Sequence, residues 1–169
     1  MELKEIMLKR RSTRKFTAEK VKEEEIEELL HAAMSGPSAV NRTPWEFYVV
    51  ENEEKLKELR KATLYTNYIA PLAIVVCGNL SRALPFELKD YWIHDCSAAS
   101  ENILLRAVDL GLAAVWCGVY PQKKGVDNVR RILGLPDKHV PLNIIYLGHG
   151  TEDKEPRDQY AQKYIHYVR

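Results

Sequence analysis

Leu72-Ala73-Ile74-Val75-Val76-Cys77 is an apolar run with no polar interruption. A strand with one wet face alternates, so a short unbroken run predicts a strand buried on both faces. The next element outward is a helix over 92–110. Its apolar residues Ile93, Ala99, Ile103, Leu104, Ala107 and Val108 spread widely around the axis, which predicts a central, heavily buried helix. Gly111 ends it, and 112–117 reads as a second strand.

Further out, 143–147 (NIIYL) reads as the last core strand, and 46–50 as a strand closed by aromatic and β-branched residues. A helix over 2–10 puts Leu3, Ile6 and Met7 on one face. A helix over 22–34 turns Ile26, Leu29, Leu30, Ala33 and Met34 inward, with Glu23, Glu24 and Glu25 suiting its N-terminal end. Asn52 can cap a helix running to about 62, with Leu56 and Leu59 inward. A helix over 122–133 buries Val126, Val129, Ile132 and Leu133 and stops at Gly134. Strands and helices mix without strict βαβ alternation, which predicts an α+β fold. No boundary or repeat divides the chain, so 1–169 is expected to be one domain.

The tail differs. Residues 149–163 are polar, carry Pro156 and lack an amphipathic period, yet 164–168 (YIHYV) looks like a strand. Such an arm is suited to pairing with a sheet edge of a partner chain.

Composition is that of an ordinary globular protein, 46% hydrophobic and 29% charged, with a formal net charge of +1. That balance argues against a polycation acting on nucleic acid or membrane. It hides a local bias: residues 1–22 hold eight basic and three acidic side chains, a charge of +5 that leaves −4 for the remainder. No apolar stretch is long enough to span a membrane, and no secretory signal is visible at the start, so the expected compartment is the cytoplasm. Cys77, Cys96 and Cys117 are odd in number and lie in apolar sequence, as buried free thiols would. His94 and Cys96 are two apart, a poor ligand pair on a helix, so no metal is expected.

Three segments could carry chemistry. In Lys9-Arg10-Arg11-Ser12-Thr13-Arg14-Lys15-Phe16, guanidiniums and a hydroxyl could surround a phosphate. In an extended segment Ser12 and Arg14 share one side. A solvated basic helix end and a nucleic-acid patch are the competing readings. Gly36-Pro37-Ser38-Ala39-Val40-Asn41-Arg42-Thr43-Pro44-Trp45 is a loop of small and rigid residues that would let a planar ligand approach the main chain, or else a plain helix-to-strand connection. The strand before Gly118 ends on a glycine, which marks either close backbone approach or a turn. Gly148-His149-Gly150 is followed by no amphipathic helix, which argues against a dinucleotide fold.

Taken in order and at these distances, the three segments resemble the FMN-dependent nitroreductase family, in its short single-domain type. The likeness covers essentially the whole chain. It rests on Arg10-Arg11-Ser12-Thr13-Arg14-Lys15-Phe16, on Pro37-Ser38-Ala39-Val40-Asn41-Arg42-Thr43-Pro44-Trp45-Glu46-Phe47, and on the run from Asp95 through Glu101-Asn102 to Leu110-Gly111-Leu112 and Trp116-Cys117-Gly118. The resemblance implies an α+β fold with a mixed central sheet flanked by helices. It also implies an intertwined homodimer whose C-terminal arm, 149–169, adds a strand to the partner's sheet.

By match, FMN would lie at the subunit interface. Arg10, Arg11 and Ser12 would face its phosphate, and Arg14 the N1/O2 side of its ring. Pro37, Ser38, Ala39 and Asn41 would line the ring from the other subunit. Asn67 matches the family's ring-binding asparagine. Trp116, Cys117 and Gly118 would back the ring, with a main-chain N–H near N5. The phosphate brings a charge of about −1.5 to −2, which a basic pocket offsets. Two departures stand out. The family's arm often has two basic residues one apart; Arg157 fits the first, and Gln159 occupies the second. Gly148-His149-Gly150 replaces the family's frequent Gly-Tyr-Pro.

The implied activity is NAD(P)H oxidation by a ping-pong cycle through FMN, with a nitroaromatic, quinone or related small molecule as acceptor. A specialised flavoenzyme of the same fold (reductive dehalogenation or flavin-consuming chemistry) and a non-catalytic flavin sensor are the alternatives. Neither nucleic acid nor membrane is expected as a partner.

Overall fold

A computed structural model describes residues 1–169. The apolar run forms β2 (Leu72–Asn79), at the centre of a four-stranded sheet. Its neighbours are β1 (Trp45–Val50) and β4 (His139–Gly148), and β3 (Ala113–Gly118) lies beyond β4. Every paired strand in the order β1-β2-β4-β3 is antiparallel. The expected mixed sheet is therefore corrected. The long connection after β2 carries the chain to β3, but β4 inserts between them and opposes both. Strands two places apart share a direction while every ladder is antiparallel. The one parallel pairing is an isolated bridge from Ser12 to Ala114.

Alternation along β2 explains its unbroken apolar sequence. Leu72, Ile74 and Val76 belong to one core, under α2 (Glu23–Met34) and α4 (Tyr91–Asp109). Ala73, Val75 and Cys77 belong to a second core, under α3 (Glu53–Leu59) and α5 (Lys123–Leu133). Each face needs its own apolar set, so no position along the strand is left for a polar residue. In α4, Trp92, Cys96, Ala99, Ile103 and Ala107 are buried, as expected of the central helix. Asn52 caps α3 by accepting from the Lys55 N–H at 3.0 Å.

Two local expectations differ from the structure. In α1 (Leu3–Lys9) only Ile6 is buried, and Leu3 and Met7 face outward. β4 begins at His139 rather than 143, because Pro141 sits opposite Cys77 where the register shifts. A proline is tolerated at such an irregularity. Residues 164–168, expected to pair with a partner chain, form no ladder within their own, where only a short turn at Gln162–Tyr164 is regular. A strand's N–H and C=O groups need a sheet edge, and no edge of this chain receives them.

The arm first runs back along the opening segment. Thr17 N–H donates to the His149 carbonyl (2.8 Å), Thr151 N–H to that of Lys15 (3.2 Å) and Arg157 N–H to that of Leu8 (2.9 Å). This brings the two ends of the sequence together. No helix is long and apolar enough to cross a membrane.

Candidate functional site: a cationic cradle between the chain ends

After α1 the chain turns extended and docks on β3, where Thr13 N–H donates to the Ala114 carbonyl at 3.0 Å. Thr13 is buried, so its neighbours Ser12 and Arg14 point the other way, as the strand period requires. Both line a cavity of about 330 Å³, together with Arg10 and Arg11. The arm closes the opposite wall with Lys154, Arg157 and Gln159. Five cationic side chains thus surround one space, with Asp158 its only carboxylate. The sequence match anticipated four of them; Lys154 it missed, since nothing local distinguishes that lysine in a polar tail.

Each cation is oriented by a neighbour: Arg10, Arg11 and Arg14 by residues outside the cavity, Lys154 and Arg157 in part by Ser12 and Gln159 of the cavity's own wall. Arg10 Nε lies 3.5 Å from Glu101 Oε1 on α4. Arg11 donates to the Glu155 carbonyl. Arg14 Nε donates to the Tyr68 hydroxyl at 3.2 Å. Lys154 Nζ donates to the Ser12 carbonyl at 2.8 Å and lies 3.1 Å from Glu152. Gln159, with its amide oxygen toward Arg157, accepts from that guanidinium at 2.7 Å. Burial pushes the Glu101 carboxyl up, against the pull of Arg10. Hydrogen bonds from Lys154 and Lys15 hold the Glu152 carboxyl below the usual range.

Beside Arg14, the loop before β2 is pinned by buried Thr66, whose hydroxyl donates to the Arg60 and Thr63 carbonyls. Asn67 is exposed next to Tyr68, the residue bonded to Arg14. On β3 the three predicted residues separate by face. Trp116 packs partly against the α2/α4 core. Cys117 points into the other core, where burial pushes its thiol up to about 12, so any contact from it to a ring on Trp116's side runs through main chain. A Cβ built on Gly118 would meet nothing within 4 Å. Open space at a strand end suits the close approach of a flat ligand to main chain.

The loop carrying Pro37, Ser38, Ala39 and Asn41 lies elsewhere, and none of these four lines the cationic cavity of its own chain. Ala39 N–H donates to buried Asp95 at 2.8 Å, and Thr43 N–H to the Ser38 hydroxyl at 3.0 Å. Val40 (φ 51°), Asn41 (φ 52°) and Thr43 (φ 44°) occupy the left-handed region, which β-branched residues rarely adopt. Such strain costs about 1–3 kcal/mol per residue and clusters at ligand sites. Arg82 holds the loop by donating to the Thr43 and Trp45 carbonyls. The candidate residues therefore form two groups in one chain: a cradle near the termini and a strained loop at the start of α4.

A larger cavity, about 440 Å³, lies behind the segment 10–13. Glu152, Asp153 and Glu155 there offset most of the charge of Lys9, Arg10, Arg11 and Lys154, which makes it the poorer host for a dianion. The cradle, the open Gly118 and the arginine tethered by Tyr68 fit FMN: a dianionic phosphate and a flat ring each find suitable surroundings.

Known proteins resemble this chain in sequence and fold along its whole length. The model of the nitroreductase family matches residues 7–71 and 68–149. A relative from Methanothermobacter thermautotrophicus, provisionally named an NADH dehydrogenase/NAD(P)H nitroreductase, is 42% identical over 168 residues, covering 98% of this chain and 86% of the relative. An FMN-dependent nitroreductase from Clostridium difficile superimposes with a TM-score of 0.88 at 30% identity, covering 98% of each chain. The NADPH:FMN oxidoreductase of Vibrio harveyi, solved with NAD+, gives 0.87 at 25% identity over 99% of this chain and 77% of that one. With the family model matching most of the chain and a 42%-identical relative aligned over nearly its whole length, the chain belongs to the nitroreductase family.

Proposed function

We propose that this protein is an FMN-dependent oxidoreductase that takes electrons from NADH or NADPH and delivers them to small acceptors such as nitroaromatics or quinones. The observation that carries the proposal is the cradle: five cationic side chains from the two ends of the sequence around one cavity with a single carboxylate. FMN held there would supply the redox chemistry, hydride acceptance and return, that the side chains themselves lack. Arg10, Arg11, Ser12 and Arg157 hold its phosphate. Arg14 offers positive charge where the reduced ring is most negative. The main chain at Trp116, Cys117 and Gly118 backs the ring, and Asn67 binds its polar edge. Support comes from the family, from the FMN-dependent relative of Clostridium difficile and from the Vibrio harveyi enzyme solved with NAD+.

The functional unit in this proposal is a homodimer, with Pro37, Ser38, Ala39 and Asn41 completing the site from the second subunit. Two features support it. Beyond Arg157 the arm exposes Tyr160, Tyr164, Tyr167 and Val168, apolar surface with nothing to cover it. The outer edge of β1 is a free ladder on which an exchanged arm could add a strand. The buried free thiols fit a reducing compartment, and we assign the enzyme to the cytoplasm.

The test is an anaerobic titration of the purified protein with NADH and with NADPH, followed at the flavin absorbance band. Bleaching by either, and recovery on adding a quinone or nitroaromatic, is the expected result. A colourless protein that takes up no FMN overturns the proposal, and yellow protein that neither donor bleaches points to a flavin sensor. Removal of residues 160–169 should dissociate the dimer and empty the flavin site; a truncated protein that remains a fully loaded dimer excludes arm exchange.

A further inference from the structure

The arm's one basic side chain at the matched positions is Arg157, since Gln159 is neutral and its amide oxygen accepts from Arg157. Yet the cavity has a second cation from the arm. Lys154 stands in the wall between it and the larger cavity, its side chain 27% exposed, and its ammonium is held across 142 residues of sequence by the Ser12 carbonyl at 2.8 Å. Ser12 is also the residue whose side chain shares that cavity.

An ammonium has three donors. One goes to the Ser12 carbonyl and one to Glu152 Oε2, 3.1 Å away, which leaves one. Glu152 does not cancel the charge of Lys154, because its other oxygen lies 3.3 Å from Lys15 Nζ on the exposed side. Two ammoniums share one carboxylate, so a net positive charge remains at the cavity wall. The main-chain carbonyl cannot swing away, so this charge is fixed before any anion arrives, which lowers the ordering cost of binding.

We propose that Lys154 is a phosphate-binding residue for FMN and supplies the cation that Gln159 does not, with the Ser12 carbonyl and Glu152 fixing its remaining donor toward the phosphate. This rests on the FMN reading above. It predicts that Lys154 distinguishes a phosphorylated flavin from one without phosphate.

The experiment titrates flavin-free protein with FMN and with riboflavin, following flavin fluorescence. Lys154→Met should weaken FMN binding by about tenfold or more, the effect of one lost charge-assisted hydrogen bond. It should leave riboflavin affinity and melting temperature near those of the wild type. Adding Gln159→Lys to Lys154→Met should restore most of the FMN affinity by returning the charge from the other position. Unchanged FMN binding in Lys154→Met overturns the inference while leaving FMN dependence intact. Equal loss of FMN and riboflavin overturns it in favour of a packing role. Wild-type protein that binds neither flavin overturns both the inference and the function on which it rests.

Discussion

Arg10 Nε and Glu101 Oε1 stand 3.5 Å apart, tying the end of α1 to the middle of α4 beside the cradle. Burial raises the Glu101 carboxyl above its ordinary 4.5 despite Arg10. A raised carboxyl favours the protonated form in the folded protein. The stability it contributes is present below pH 4.5 and is lost as pH rises through the folded value. Glu101→Gln should therefore raise the melting temperature at pH 7 slightly, because the side chain is half-exposed. The difference should vanish in melting curves recorded below about pH 4.5. A phosphate dianion in the cavity adds to the repulsion, so the same variant should bind FMN more tightly at neutral pH.

Gly118 and Gly78 make a contrasting pair. A Cβ at Gly118 enters open space, whereas one at Gly78 would meet the Trp92 ring at 2.2 Å. Gly118→Ala should leave the melting temperature of flavin-free protein within a degree or two, and still lower FMN occupancy by filling the space proposed for the ring. Gly78→Ala should cost about 1–3 kcal/mol in denaturant unfolding, the usual penalty of overpacking beside a buried aromatic.

The three thiols should be silent in the native state. Burial pushes Cys96 and Cys117 up to about 12 and raises Cys77 further. At pH 8 a thiolate is needed to attack a disulfide reagent. Titration with such a reagent should count no reactive thiols in folded protein and all three after denaturation. Rapid labelling of Cys117 in folded protein would mean that β3 opens locally.

Glu46 accepts from Asn79 at 2.9 Å and from Arg82 at 2.7 Å. Burial alone would raise its carboxyl, but these hydrogen bonds and the Arg82 charge together hold it below 4.5. The stability it contributes is present above pH 4.5 and is lost as pH falls through its folded value. Glu46→Gln should cost about 1–2 kcal/mol at pH 7, the scale of a hydrogen bond to a charged group. That cost should shrink in unfolding curves taken progressively below pH 4.5. Arg82 also anchors the strained loop through Thr43 and Trp45, so the variant tests support of the proposed ring-lining segment as well.

Much of the fold was legible locally. The run at 72–77 pointed to a strand between two cores, and the wide apolar spread over 92–110 to a buried helix, and the structure contains both. Asn52 announced a cap that the structure contains. The beginning of β4 was not legible, because Pro141 reads as loop until the irregularity opposite Cys77 makes room for it. Periodicity put Leu3 and Met7 on one face with Ile6, but it gives a common face and not what covers it, and only Ile6 is buried in this chain.

Charge density, apolar runs and helix punctuation are properties of neighbours in sequence. By itself, then, the chain determined its core helices and strands, its α+β class, its basic segment at 9–15 and the family those motifs resemble. Strand partnership depends on chain crossings that no short window contains, so only the tertiary structure decided that the sheet is antiparallel throughout. The same holds for the cradle. Tyr68 reaches Arg14, Glu101 reaches Arg10 and Lys154 reaches Ser12 only because the fold closes gaps of 54, 91 and 142 residues. Charge that looked like a solvated helix end became a cavity wall when the arm, held by main-chain hydrogen bonds along 8–17, closed its far side.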